Sequence, residues 1–209
     1  MSADPGVFIV FEGGDGSGKS TQVARLVASL RADGRAVVAT REPGGTRIAE
    51  KIRRVILDPD NLELCDRAEA LLYAASRAEH VHHVVKPALE RGDVVVSDRY
   101  MDSSIIYQGL GRGLGRDAVR DLNLWATEGL LPDLTIVLDV PADFGLERVG
   151  TPDRLELAPR EMHERIREYY LTMAEADPGH YLLINARQSI DAIAELVLAR
   201  VDELLVARA

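Results

Sequence analysis

The chain is poor in cysteine, in lysine and in long apolar runs, and each shortage excludes something. With one cysteine, Cys65, among 209 residues, no intrachain disulfide can form and no multi-cysteine metal site is possible. Its side chain is expected in the core, as a small apolar group. No apolar run approaches the roughly 18 residues needed to span a bilayer, and no basic and apolar leader precedes the first apolar segment. A cytoplasmic protein without a membrane partner is the expectation. A net charge of −9 argues against a general nucleic-acid binder, whose footprint is a basic surface; local basic clusters can still hold a small anion. There is no Asn-Lys pair, and with it the NKxD guanine-reading motif of GTP-dependent switches is missing. No internal repeat, low-complexity tract or linker interrupts the chain, and 46% hydrophobic content suits one globular domain over 1–209 with a full core.

Against that background the few lysines matter. Only three occur among 25 basic residues, and one is Lys19 in Val7–Thr21, VFIVFEGGDGSGKST. An apolar run feeds a glycine-rich bend that opens a segment of helical period, and Gly13, Gly18, Lys19 and Ser20 satisfy GxxxxGK[ST]. Glycines let successive backbone N–H groups turn toward a phosphate, and the following helix points its positive end at the same anion. Gly13, Gly14, Asp15, Gly16, Ser17, Gly18, Lys19, Ser20 and Thr21 are therefore the candidate cradle of a nucleoside triphosphate. Lys19 would reach the β- and γ-phosphates, and Ser20 would hold Mg²⁺.

Periodicity carries the reading onward. A helix over Thr21–Ala32 buries Val23, Leu26, Val27 and Leu30, and Ala36–Thr40 is a second strand. REPGGT (Arg41–Thr46) turns at that strand's carboxyl end, where ligands bind in open α/β sheets, and the next helix turns Ile48, Ile52, Val55 and Ile56 inward. Asp66–Leu89 reads as one long helix with Tyr73 and Arg77 one turn apart. They could sandwich a planar base, or be a core aromatic beside a solvated arginine. His80, His82 and His83 cluster on this helix, but 80 and 82 point to different faces, so they read as surface or packing residues rather than a metal site. The third strand, Asp93–Ser97, ends at Asp98, Arg99, Tyr100. An acid there meets a magnesium shell or caps the next helix, and Arg99 offers a fork for phosphate. Ser103, Ser104, Tyr107 and Gln108 follow as a hydrogen-bonding surface. Strands at Leu134–Val140 and Tyr181–Asn185 alternate with helices at Phe144–Val149, Arg160–Ala176 and Ser189–Leu205, the last turning Ile190, Ile193, Val197, Val201 and Leu204 inward. An irregular stretch, 149–159, is a candidate lid. The expected fold is a three-layer α/β/α domain around a five-stranded parallel sheet, the P-loop nucleoside-triphosphate-hydrolase architecture.

Four ordered motifs, FEGGDGSGKST, TREPGGT, LLYAASRAEH and SDRYMDSSIIYQG, resemble those of the bacterial thymidylate kinases, nearly end to end. The resemblance implies transfer of a phosphoryl group from ATP, with Mg²⁺, to dTMP, in a homodimer joined through the long helices. Asp15 then matches an acid that contacts the sugar 3′-hydroxyl, or a water or metal there, Tyr73 an aromatic stacked on thymine, and Arg77, Ser104 and Gln108 the groups that read the base. Tyr107 matches a tyrosine that crowds the 2′ position, and Glu42, Arg53 and Arg99 surround the acceptor phosphate. Catalysis would fall to Lys19, Asp98, Arg99 and a lid arginine, with Ser20 and Asp98 on the metal. One branch of the family carries its catalytic arginine inside the P-loop, where this chain has Gly16, so the charge is assigned to Arg154 in the lid, with Arg148 nearby; an ion pair of Arg154 with Glu156 or Glu161 is the bland alternative. Ile106 and Tyr73 replace the family's usual alanine and phenylalanine. A broader nucleotide kinase, a GTP-dependent switch and a module without catalysis are the competing readings.

Overall fold

The computed structural model describes residues 6–146, 154, 155 and 159–208. Strands β1 (Val7–Glu12), β2 (Val37–Arg41), β3 (Val94–Asp98), β4 (Leu134–Asp139) and β5 (Tyr181–Asn185) form one sheet, ordered β2-β3-β1-β4-β5, every pairing parallel. The helices are α1 (Lys19–Ala32), α2 (Arg47–Leu57), α3 (Asp66–His80), α4 (Lys86–Glu90), α5 (Met101–Ser104), α6 (Arg116–Ala126), α7 (Ala142–Leu146), α8 (Arg160–Ala176) and α9 (Ile190–Arg208).

Alternation along the central strands decides which layer each side chain joins. Ile9 and Phe11 of β1, with Val96 of β3 and Ile136 and Leu138 of β4, pack beneath α1 and α9 on Leu26, Leu30, Val197 and Val201. Phe8, Val10 and Val95 face the other way, onto Val81, Val85, Tyr100, Met101 and Val119. A third cluster, Ile56, Tyr73, Ile106, Tyr107, Met162, Ile166 and Tyr170, joins α2, α3 and α8 beside the sheet's carboxyl edge. This is the three-layer α/β/α arrangement, and with β1 and β3 adjacent it sets the loop after β1 beside the residues after β3.

Several side chains depart from the sequence expectations. The long helix runs through, but with a π-helical turn at Val81–Val85 between α3 and α4, and a second π segment, Ile105–Gly111, extends α5. Such insertions rotate the following residues relative to an α-helical register. Ile48 and Val55 of α2 are 44% and 45% exposed, and Ile190 is 52% exposed; α2 meets the core along the narrower stripe of Ala49, Ile52 and Ile56. Cys65 is exposed, because it sits in the connection just ahead of α3 and outside the packed layers. His80 is fully buried and hydrogen-bonded, while His82 and His83 face outward. The fourth strand stops at Asp139. No helix among the described residues is long and apolar enough to cross a membrane. Of the expected lid, only Arg154, Leu155 and Pro159 are among the described residues; Arg148 and Glu156 lie outside them.

Candidate active site

The loop after β1 folds around its own lysine. Lys19 Nζ donates to the carbonyls of Gly13 at 3.1 Å and Gly14 at 2.7 Å, and to Ser17 Oγ at 3.3 Å. Burial, with the nearby Arg99 cation adding to it, pulls the ammonium pKa down to about 8. Two glycines are dictated by space. A Cβ on Gly13 would lie 2.4 Å from the Leu138 carbonyl oxygen, and one on Gly16 would lie 2.0 Å from that of Gly145, with both residues at positive φ. An arginine at position 16 has no room while α7 keeps its place, so a cation for this end of the site must come from elsewhere.

At the end of β3, Asp98 Oδ2 accepts a hydrogen bond from Ser20 Oγ at 2.6 Å. The next residue, Arg99, stands at φ 70, a left-handed conformation that non-glycine residues rarely take. Its backbone N–H reaches back to the Phe11 carbonyl at 2.8 Å, which turns its guanidinium over the loop. There Nη1 donates to Gly13 O at 3.1 Å and Ser103 Oγ at 3.0 Å, and Nη2 pairs with Asp15. Burial would raise the Asp15 pKa, but Arg99 and Lys19 outweigh it and hold the carboxyl below its ordinary value. Tyr107 donates its hydroxyl to the other Asp15 oxygen at 3.0 Å.

Glu12, which sequence reasoning passed over, fastens this turn. Fully buried at the end of β1, it accepts from Tyr100 N–H at 2.9 Å, Ser103 N–H at 3.2 Å, Ser103 Oγ at 2.6 Å and the Tyr170 hydroxyl at 2.7 Å. The signal for it was an acid closing an otherwise apolar strand.

The opposite wall comes from β2 and α3. Glu42 is buried between Arg77 Nε at 2.6 Å and His80 Nδ1 at 2.8 Å. Burial alone would raise its pKa; Arg77 foremost, then His80, hold it below the usual carboxylate range. Three of the remaining four donors of Arg77 go to Ser104 Oγ at 3.1 Å, the Tyr100 carbonyl at 3.0 Å and Asn123. Arg77 is therefore a buried, fully oriented cation and not a solvated arginine. Asn123 stands in none of the four motifs, and the motifs that contain Glu12 and His80 do not by themselves show that these side chains are buried. Arg53 Nη1 donates to the Pro43 carbonyl at 2.8 Å.

These walls enclose a cavity of about 290 Å³ at the carboxyl edge of the sheet, lined by Asp15, Gly16, Lys19, Ser20, Arg41, Glu42, Pro43, Arg53, Leu57, Tyr73, Arg77, Asp98, Arg99, Tyr100, Ser103, Tyr107, Gln108 and Leu155. The lining combines the cations Lys19, Arg53, Arg77 and Arg99 and the oxygen pair Ser20–Asp98 with the aromatic rings of Tyr73 and Tyr107 and the amide of Gln108. Gly13, Gly14, Ser17, Gly18 and Thr21 belong to the loop without lining the cavity, and Ser104 stands behind Arg77 rather than on the surface. Arg154 is also off the lining: its guanidinium is buried, donating to Glu69 Oε2 at 2.6 Å and to the Ile56 carbonyl at 2.9 Å, so the acid it meets is on α3. Among the described residues no group of three or more His, Cys, Asp or Glu is placed to hold a metal ion. A divalent ion would have to rest on Ser20, Asp98 and the oxygens of a bound polyphosphate, as suits Mg²⁺.

A family model described as thymidylate kinase matches residues 11–197 of the chain. Among curated relatives, the thymidylate kinase of Desulforudis audaxviator (strain MP104C) is 51% identical over 203 residues, covering 96% of this chain and 92% of its own. That of Leifsonia xyli subsp. xyli (strain CTCB07) is 52% identical over 202 residues, 95% of each chain. That of Deinococcus radiodurans is 47% identical over 201 residues, 95% of this chain and 97% of its own.

Proposed function

The chain belongs to the thymidylate kinase family, and from that premise we infer how its residues carry out the family's reaction. It phosphorylates dTMP to dTDP, as a phosphotransferase with a phosphate group as acceptor. We propose ATP as the donor and Mg²⁺ as the accompanying ion. The observation that supports this most directly is that Lys19, Asp98 and Arg99 line the same cavity as Tyr73, Arg77 and Gln108.

Phosphoryl transfer asks for in-line positioning and charge neutralisation rather than a covalent intermediate. In this reading the backbone amides from Gly13 to Thr21 surround the donor phosphates, and Lys19 exchanges its carbonyl partners Gly13 and Gly14 for them. Ser20 and Asp98 would hold the metal, which would supply neutralisation of phosphate charge. Arg99 and Arg53 receive the acceptor phosphate, with Glu42 orienting the wall behind it through Arg77. Asp15, clamped between Arg99 and Tyr107, is set to meet the sugar hydroxyl; Tyr107 narrows the site near the sugar. Tyr73 stacks on the base. Arg154 is assigned the lid charge, which requires its guanidinium to leave Glu69 for a phosphate; the 149–159 lid belongs to the same proposal, as does one catalytic domain over the whole chain.

Two further parts concern surroundings. A homodimer is supported by large apolar side chains left exposed on α2, α3 and α6: Ile48, Val55, Leu71 and Trp125, the last 80% exposed. Sedimentation equilibrium should give twice the chain mass; a monomer at tens of micromolar sinks it. The cytoplasm as compartment rests on the family alone.

The test of the activity is ADP release with dTMP, dUMP, CMP and AMP in turn. The expected order puts dTMP first by a wide margin over CMP and AMP, and by less over dUMP, since one methyl in an apolar pocket is worth roughly 1–3 kcal/mol. Highest activity on any other monophosphate overturns the assignment. Lys19→Ala should abolish turnover in a chain that still folds.

A further inference from the structure

Glu69 lies on α3 one turn before Tyr73, fully buried, and no step of the transfer just described employs it. Yet four hydrogen bonds converge on its carboxylate. Gln108 Nε2 donates to Oε1 at 2.8 Å, Arg112 donates to Oε1 at 3.4 Å and to Oε2 at 3.2 Å, and Arg154 donates to Oε2 at 2.6 Å. Gln108, 1% exposed, belongs to the cavity lining. Its other end is different: Oε1 is buried and has no hydrogen-bond partner among the described residues. A buried carbonyl oxygen left without a donor costs about 1–3 kcal/mol, and a donor brought by a ligand in the adjoining cavity would recover it.

The two ends of a carboxamide are nearly the same size and opposite in polarity. What decides which end faces a ligand is the group behind it. A carboxylate only accepts, so it takes the NH₂ end of Gln108, and a flipped amide would set oxygen against oxygen. The carbonyl end is then fixed as an acceptor. Arg77, on the same lining, can only donate. We propose that Glu69 is a positioning residue that sets the polarity of the base pocket. It holds Gln108 so that the site takes a pyrimidine with an N–H at ring position 3 and a carbonyl at position 4, and rejects one with a lone pair and an amine there. This rests on the dTMP reading above. A cytosine-type base meets two reversals, lone pair on lone pair at Gln108 and amine on guanidinium at Arg77. A uracil-type base meets none.

The experiment compares kcat/KM for dTMP and dCMP in the full-length enzyme. Glu69→Gln replaces an acceptor-only group with one that can donate, which frees Gln108 to turn. The ratio of dTMP to dCMP is expected to fall about 10- to 100-fold, mostly through KM, with kcat for dTMP less affected. Arg112→Gln removes a cation from Glu69 and leaves the acceptor, so its ratio should stay within about threefold of wild type. Equal losses in both variants overturn the proposal, since cluster integrity would then set the preference. Should Glu69→Gln fail to fold, Gln108→Met carries the test: it leaves Glu69 with both arginines, and an undiminished preference for dTMP overturns the idea. Where both variants fold, the double variant must lose no more discrimination than Gln108→Met alone; a further loss shows that Glu69 acts by another route and refutes the assignment. If the wild-type enzyme itself fails to prefer dTMP, the underlying activity reading fails first, and that outcome is distinct from a dTMP-selective wild type whose Glu69→Gln variant keeps its ratio.

Discussion

Replacing Glu12 by glutamine should damage the turn after β3 more than the loss of one surface charge would. The carboxylate accepts two backbone N–H groups, from Tyr100 and Ser103, and two hydroxyls, from Ser103 and Tyr170. A glutamine can keep its carbonyl toward the backbone donors, which cannot reverse. Its NH₂ then meets the hydroxyls, and Ser103 Oγ already accepts from Arg99 Nη1. Each hydrogen bond to a charged acceptor contributes about 1.5–3 kcal/mol and a neutral one about 0.5–1.5. Four such downgrades come to roughly 4–6 kcal/mol, and relief from burying a charge returns part of it. A net loss of about 2–4 kcal/mol is expected by urea unfolding. Ser103 links Glu12 to Arg99, so turnover should fall as well, by at least about 10-fold even at temperatures where the variant is fully folded. A variant within about 0.5 kcal/mol of wild type with normal kcat would refute the view that Glu12 holds this turn.

Three other outcomes follow from the same geometry. Gly16→Ala places a methyl against the Gly145 carbonyl and strains a residue at φ +69; KM for ATP should rise at least about 10-fold with a lower Tm, and unchanged kinetics would mean the loop relaxes freely. Asp102 has its carboxyl pushed up to about 7, by burial first and then by the charge on Glu12, with the Tyr181 hydroxyl opposing. The folded state thus keeps a proton that the unfolded chain sheds near pH 4, so stability should fall as pH rises from about 4 through 7; in urea titrations at pH 5 and 8, Asp102→Asn should lose less than wild type, and equal losses would exclude this source. Arg154→Ala should lower kcat at least ~10²-fold if this guanidinium serves the transferred phosphate; a raised KM for dTMP with kcat preserved would instead leave it as a support for Glu69.

The sheet and its loop were legible because their signals are local. Five apolar runs of strand length alternate with helical periods, and parallel pairing with helices on both faces follows from connections too long for hairpins. The motifs marked Lys19, Asp98 and Arg99 as candidates through glycine spacing and a strand end, and Tyr73 and Gln108 through helical spacing and the resemblance; all five line one cavity. Glu12, Glu69 and Asn123 escaped, and His80 was noted only as a surface or packing residue, because a single polar residue carries no period or spacing that tells which group it will face. Cys65, Ile48 and Val55 were misplaced for a related reason. Hydropathy says that a side chain prefers burial, while the number of layers around its element decides whether burial is offered.

From the residues alone, the order of elements, the glycine-rich loop and the kinship to the thymidylate kinases could be written down, for all three reside in short contiguous stretches whose backbone chemistry is self-sufficient. Folding decided the rest: that Arg77 is sealed against Glu42, that Gly16 has no space for a side chain, and that Glu69 stands behind Gln108. Each of these joins residues from separate elements, 35 positions apart for Arg77 and Glu42 and 39 for Gln108 and Glu69. A buried charge or amide takes its meaning from the group it faces, and that partner is chosen by packing.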